Sequence, residues 1–411
     1  MFPRHVSSQI LKALGDSPVV LLHGARQTGK STLVKDLVSR DYRAQYVTLD
    51  DPTVLAAARA DPVGFLAGIE GPVALDEVQR VPDLFLAIKA QVDRSRQPGR
   101  YLLTGSANIW MVPKLSESLA GRIEILPLWP LSQGEIERHE ESFVDALFAD
   151  SPVRPQAGAD SRGDLTVRML RGGYPEACHR PTWERRQAWF SSYVMTILQR
   201  DVRDLANIEG LTAMPRLLAL LAARVGRLMN HAEVSRSLAM PQTTLKRYMS
   251  LLEATFLVQL VPPWSSNLGK RLVKSSKLYL IDTGLAASLL GHSKQESLER
   301  SALIGHLFEN FVVMELRKQI GWSRTRPELS HFRTLAGQEV DVVLEAPSGQ
   351  IVGIEVKAAG AVNPDAFRGL RVLAEQAGDR FHRGVVLYAG RETVPFGGNM
   401  FALPLDSLWR M

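Results

Sequence analysis

Two groups of residues in this chain have the types and spacing to do chemistry. The first is Gly24-Ala25-Arg26-Gln27-Thr28-Gly29-Lys30-Ser31, followed by Thr32, which fits the pattern G-x-x-x-x-G-K-[ST]. Glycines in such a loop let the backbone wrap phosphates without Cβ clashes. Successive N–H groups and the N-terminus of the following helix supply positive potential. Lys30 is placed to reach β- and γ-phosphates and Ser31 to ligate Mg²⁺, so ATP and Mg²⁺ are the expected cofactors. Forty-six residues after Lys30, an apolar run ends in Asp76-Glu77. Asp76 can join the metal shell, and Glu77 can orient or deprotonate an attacking water. A chance motif beside a solvated strand end would need both elements to coincide, in order and at strand ends.

Two more positions fit the same machinery. Ser106, with Thr104 behind it, closes the next apolar run and can sense a γ-phosphate, although an ordinary turn would look the same. Arg122, in Ala120-Gly121-Arg122, can serve as an arginine finger lent to a neighbouring subunit, or be a plain surface arginine. The finger reading requires a homo-oligomer. Cys178 beside His179 reads as structural, because no partner for nucleophilic catalysis is evident.

The second group lies near the C-terminus. Glu309 falls on an amphipathic helix, Asp341 opens one apolar run, and Glu355-Val356-Lys357 closes the next. Residues 355 and 357 project on the same face of a strand. Asp341 and Glu355, 14 residues apart on adjoining strands, can meet. Two carboxylates with a helical Glu would make an oxygen-rich Mg²⁺ pocket, with Lys357 positioning a water. Solvated strand edges are the plainer alternative.

The elements that must hold these residues are legible from the pattern. Residues 18–22, 46–49, 73–75, 101–103 and 123–126 read as strands, and all but the last precede helical patterns. That alternation argues for an α/β fold with a parallel sheet covered on both faces. Residues 131–205 are mostly helical, interrupted by a Pro/Gly-marked loop at 151–163. Between Arg216 and Lys277 there are ten Lys and Arg against Glu233 and Glu253, a net +8, while the whole chain carries +6. Helices are expected at 215–227, 232–238 and 242–252. The last has Leu245, Tyr248, Met249 and Leu252 on one face and Thr243, Lys246, Arg247 and Ser250 on the other. Strands at 256–260 and 277–281 bracket a segment bearing Lys270, Arg271 and Lys274. This is the pattern of a winged helix with a basic wing, whose contacts would go mainly to DNA phosphates. A lid packing on protein is the alternative. Further on, 303–320 reads as a helix and 331–334, 340–345, 351–356 and 385–388 as strands.

Composition bounds the rest. The chain has 411 residues, 45% hydrophobic and 22% charged, which is ordinary for several globular domains and excludes a disordered or fibrous chain. One cysteine excludes an intrachain disulfide and any cysteine-based metal site. With no signal-peptide core and no long apolar window, the expectation is a cytoplasmic protein without a membrane span.

The chain resembles a bacterial and archaeal family of AAA-type P-loop ATPases. These carry a C-terminal domain of unknown function with a restriction-endonuclease-like, PD-(D/E)xK fold. The resemblance is carried by residues 24–32, 73–79, 103–107, 119–122, 172–175, 277–284, 305–311, 339–342 and 355–357. It implies ATP binding and an AAA core at 1–130, with a helical lid region at 131–205. A winged helix at 206–294 and an endonuclease-like domain at 295–411 complete the expected layout. The function expected is a Mg²⁺-dependent, oligomeric ATPase, with a hexamer as the candidate assembly, that binds forked or branched DNA and remodels it. A nucleotide-switched scaffold and an ATP-regulated nuclease are the competing readings.

Overall fold

The computed structural model describes residues 1–106, 119–151, 160–202, 213–266, 275–292 and 294–411. They form two compact units. One comprises residues 4–129 with 251–257, and the other residues 1–3, 130–250 and 258–411.

In the first unit the five expected strands are present as β1 (Val19–His23), β2 (Gln45–Thr48), β3 (Val73–Asp76), β4 (Tyr101–Gly105) and β5 (Ile123–Pro127). They form one parallel sheet in the order β2-β3-β4-β1-β5. The strands read as unbroken apolar runs because both faces are covered. Along β1, Val19 and Leu21 enter one core with Leu75 and Leu103, while Val20 and Leu22 enter the other with Ala74 and Leu102. Around the sheet run α1 (Ser7–Asp16), α2 (Lys30–Arg40), α3 (Pro52–Ala60), α4 (Pro62–Ala67) and α5 (Leu84–Arg94). Asp51 starts α3 by accepting from the Thr53 and Val54 N–H groups at 2.8 and 3.0 Å, with Pro52 in the first turn. The strand order has a chemical consequence. Because β4 lies between β1 and β3, its end stands between the loop that follows β1 and the acidic pair that ends β3.

The second unit begins with α6 (Gln133–Glu137), α7 (Phe143–Phe148), α8 (Arg162–Arg171), α9 (Pro175–His179) and α10 (Trp183–Thr196). Of the loop expected at 151–163, residues 152–159 lie outside the described residues. Next come α11 (Met214–Ala222), α12 (His231–Ser237) and α13 (Gln242–Ala254), the last ending among residues of the first unit. An antiparallel pair follows, β6 (Val258–Val261) with β7 (Lys277–Leu280), and Leu228 bridges to Lys277 beside it. After α14 (Thr283–Leu289) and α15 (Gln295–Glu299), the long α16 (Ile304–Ile320) leads into a six-stranded sheet. Its strands are β8 (Glu328–Arg333), β9 (Glu339–Glu345), β10 (Ile351–Lys357), β11 (Phe381–Tyr388), β12 (Val394–Pro395) and β13 (Met400–Pro404), in the order β12-β13-β11-β10-β9-β8. Helix α17 (Arg368–Ala377) crosses between β10 and β11, which pair in parallel.

Buried polar ties explain why this unit does not separate at its sequence boundaries. The Lys318 ammonium on α16 donates to the Leu131 carbonyl at 2.9 Å, and Glu315 accepts from the Gln133 N–H at 2.9 Å. Asp282 caps α14 through the Leu285 N–H and also accepts from the Gly173 N–H at 2.6 Å. A Cβ on Gly172 would lie 2.4 Å from the Asp282 carboxylate, so the approach requires glycine there. Among the described residues, no helix is long and apolar enough to cross a membrane.

Candidate functional site

The loop from Gly24 to Gly29 joins β1 to α2. A Cβ on Gly24 would lie 2.2 Å from the Leu128 carbonyl oxygen, so the chain passes there only without a side chain. Gln27 and Gly29 take positive φ, at 62° and 94°. No side chain caps the N-terminus of α2, which leaves its first N–H groups pointing at the loop. Lys30 is buried, and its ammonium donates to the Gly24 and Ala25 carbonyls at 2.9 and 2.8 Å. The Thr28 hydroxyl donates to the Ala25 carbonyl at 3.0 Å. Arg4 braces the loop from outside, donating to the carbonyls of Thr28 and Trp129, each at 2.7 Å. The sequence carries no signal for Arg4, a lone arginine far from the motif.

The acidic side of the site is organised by hydroxyls. Asp76 accepts from Ser31 at 3.1 Å and from Tyr46 at 2.7 Å, and also from Thr104. Glu77 sits in the left-handed region (φ 60°, ψ 41°), a conformation that costs a non-glycine residue roughly 1–3 kcal/mol and is often found at functional sites. Its N–H donates to the Thr104 hydroxyl at 3.1 Å, while its carboxylate accepts from Ser106 at 2.8 Å and from Gln79. Ser31, Asp76, Glu77, Thr104 and Ser106 therefore converge through one hydrogen-bonded set at the C-terminal edge of the sheet, with Lys30 next to Ser31 at the start of α2. Tyr46 is the member that sequence reasoning missed. Its position in β2, beside the acidic strand, was the available signal.

His23, the last residue of β1, is buried against the Phe256 ring, 5.2 Å between centroids. Burial, reinforced by the Lys30 charge, lowers its imidazole to about 4, so the ring is neutral at physiological pH.

Arg122 is not part of this constellation. In the parallel sheet Val19 pairs with Ile123, so Arg122 precedes the strand at the edge opposite the phosphate loop. Five residues of strand separate the two edges, roughly 16 Å. Its guanidinium is held by Asp93 at 2.5 Å and donates to the Ala120 carbonyl at 3.2 Å.

In the basic segment, Leu245, Tyr248, Met249 and Leu252 are buried, and Thr243, Lys246, Arg247 and Ser250 are exposed, as the periodicity predicts. Lys270, Arg271 and Lys274 lie outside the described residues.

The C-terminal carboxylates do converge, but around a lysine. The Lys277 ammonium, on β7, donates to Glu309 at 2.7 Å and to Asp341 at 3.0 Å. The Tyr279 hydroxyl donates to the same Glu309 oxygen at 2.6 Å, and the second Asp341 oxygen accepts from the Val356 N–H at 3.0 Å. Lys357 pairs with Glu355 at 2.7 Å on the shared strand face. Burial and the Asp341 charge push the Glu355 carboxyl up to about 8. Burial alone would lower the Lys277 ammonium, but Asp341 and Glu309 outweigh it and hold its pKa above the ordinary lysine range. The expected Mg²⁺ pocket is not what these residues form. Among the described residues, no three His, Cys, Asp or Glu side chains are grouped to hold a metal ion. Sequence reasoning placed Lys277 at the start of a strand in the basic middle segment and gave it no role beside these carboxylates.

Comparison with known proteins bears on the whole chain. Residues 16–137 match the AAA domain family, residues 162–296 a domain of unknown function (DUF8612), and residues 304–408 another (DUF4143). The uncharacterized protein Rv2008c of Mycobacterium tuberculosis is 34% identical over 406 residues, covering 98% of this chain and 84% of that protein. An uncharacterized protein of Haemophilus influenzae is 24% identical over 224 residues, 53% of this chain and 51% of its own. Among solved structures, the Walker-type ATPase PABY2304 of Pyrococcus abyssi covers 70% of this chain and 96% of its own at 14% identity and TM-score 0.42. The RuvB Holliday junction branch migration motor of Thermotoga maritima covers 64% and 90%, at 18% identity and TM-score 0.28. With its first third an AAA-type P-loop domain and its similarity running nearly end to end, the chain belongs to the family of the mycobacterial protein Rv2008c.

Proposed function

We propose that this protein is a Mg²⁺-dependent ATPase that works as a homo-oligomer, with a hexamer as the candidate assembly, and binds and remodels forked or branched DNA. The observation that carries the ATPase reading is the set Ser31–Asp76–Thr104–Glu77–Ser106. It lines up a metal-holding hydroxyl and carboxylate, a candidate base and a polar sensor beside a glycine loop. Ser31 and Asp76 would hold Mg²⁺, which when bound neutralises charge on the β- and γ-phosphates. Gly24, Ala25, Arg26, Gln27, Thr28 and Gly29 would cradle the phosphates, with Thr32 in the first turn of α2. Lys30 would leave its two carbonyl partners for the phosphate oxygens. Glu77 would hold and deprotonate the attacking water, and Ser106, already bonded to Glu77, would tie that carboxylate to the γ-phosphate.

The DNA reading rests on charge and exposure. Helices α11–α13 with the β6–β7 pair have the element order of a winged helix, and its third helix exposes Thr243, Lys246 and Arg247. Lys270, Arg271 and Lys274 would supply the wing's phosphate contacts. In the C-terminal region the order α16-β8-β9-β10-α17-β11 supports reading a restriction-endonuclease-like core, used as a binding or assembly domain rather than a cleaving one. We place the protein in the cytoplasm.

The test is the ATPase rate of the full chain with no DNA and with duplex, forked and single-stranded DNA. Stimulation of severalfold by forked DNA, reduced in Lys246→Ala/Arg247→Ala, is expected. Indifference to every DNA would favour the nucleotide-switched scaffold instead.

A further inference from the structure

Five charged side chains meet where β7, α16, β9 and β10 come together. Glu309, Asp341 and Glu355 face two ammonium groups, those of Lys277 and Lys357. Glu355 Oε2 is buried without a hydrogen-bond partner. Glu339 also approaches Lys277, at 3.9 Å.

Two carboxylates from separate elements, α16 and β9, stand 2.7 and 3.0 Å from the Lys277 nitrogen, the spacing of charge-assisted N–H···O bonds. Magnesium needs oxygens at about 2.0–2.1 Å, so the cage is sized for an ammonium. Its oxygens are also engaged elsewhere. Tyr279 donates to the Glu309 oxygen that Lys277 holds, and the Val356 N–H takes the other Asp341 oxygen. Lys277 is 3% exposed along its side chain, so this is no loose surface pair. Its strand is fixed by more than charge. The Leu280 N–H donates to the Asn310 side chain on α16 at 2.8 Å, and Lys277 bridges to Leu228.

We propose that Lys277 is the resident cation of the C-terminal domain: it takes the place a divalent metal would occupy among Glu309, Asp341 and Glu355. The domain is thereby metal-free and non-cleaving for as long as β7 stays docked. The ammonium is carried by β7 of the β6–β7 pair, so opening the site to metal requires Lys277 to leave Glu309 and Asp341. The inference is independent of nucleotide and DNA binding.

The test counts bound Mn²⁺ by electron paramagnetic resonance on the full chain without nucleotide, in a background of Asp76→Asn so that the phosphate loop contributes nothing. The parent should bind no Mn²⁺ that Asp341→Asn removes. Lys277→Met should gain one Mn²⁺ per chain, lost again in Lys277→Met/Asp341→Asn. Its melting temperature should also rise with Mn²⁺ while that of the parent does not. If Lys277→Met fails to fold, Lys277→Gln keeps an N–H donor toward Glu309 and Asp341 while removing the charge, and the same gain is expected. Asp341-dependent Mn²⁺ binding by the parent would overturn the proposal. So would metal-dependent cutting of labelled duplex that Asp341→Asn abolishes. A folded Lys277 variant with no gain of Mn²⁺ would also overturn it.

Discussion

The Ser106 hydroxyl donates to the Glu77 carboxylate at 2.8 Å, so the proposed γ-phosphate sensor and the proposed base are joined. Glu77→Gln should therefore bind ATP with near-parental affinity and lose hydrolysis by on the order of 10²-fold or more, the usual worth of a positioned base. Ser106→Ala should lower turnover less. Equilibrium binding of a fluorescent ATP analogue, with phosphate release measured alongside, checks both. Parental hydrolysis in Glu77→Gln would remove Glu77 from the role of base.

Tyr46 holds the Asp76 oxygen that Ser31 and Thr104 do not. Tyr46→Phe should raise the Mg²⁺ concentration for half-maximal ATPase by about tenfold, the scale on which outer-shell partners act on a metal. The turnover rate at saturating Mg²⁺ should be nearly restored. An unchanged Mg²⁺ profile would reduce Tyr46 to a packing residue.

Arg122 begins the strand at the edge away from its own phosphate loop, so any catalytic role must be exercised on a neighbouring copy. Arg122→Ala should cost on the order of 10³-fold in turnover while sparing nucleotide affinity. Mixing it with Lys30→Ala should recover part of the activity across subunit interfaces. A strictly monomeric protein by light scattering, with ATP and DNA present, would contradict this.

His23 and His331 are both held neutral at about 4, each chiefly by burial. Their folded pKa values lie below the unfolded value of about 6.5. The stability they contribute is thus complete above about pH 6.5 and is lost as pH falls through the folded values. Thermal melts should show the melting temperature falling from pH 6.5 toward pH 4, and His23→Gln should make that slope shallower. An unaltered slope would place the acid sensitivity elsewhere.

Much of this molecule could be read along the chain, because the informative patterns are local. Strands buried on both faces show as apolar runs, the phosphate loop has a fixed spacing, and the stripe of Leu245, Tyr248, Met249 and Leu252 follows helical periodicity. Arg4, Tyr46 and Lys277 escaped that reading for a shared reason. Each acts on residues between 24 and 125 positions away, and its own neighbourhood gives no hint of the partner.

The sequence by itself singled out the candidate residues: Lys30, Ser31, Asp76, Glu77 and Ser106 in the first third, and Glu309, Asp341, Glu355 and Lys357 in the last. Only the tertiary structure decided which residues of each set meet. Inserting β4 between β1 and β3 turned the first set into one connected site, because strand order is fixed by packing between elements and not by adjacency along the chain. Docking β7 against α16 and β9 put an ammonium among the carboxylates of the second. A buried carboxylate must be neutralised by whatever cation the fold supplies, and here that cation is Lys277.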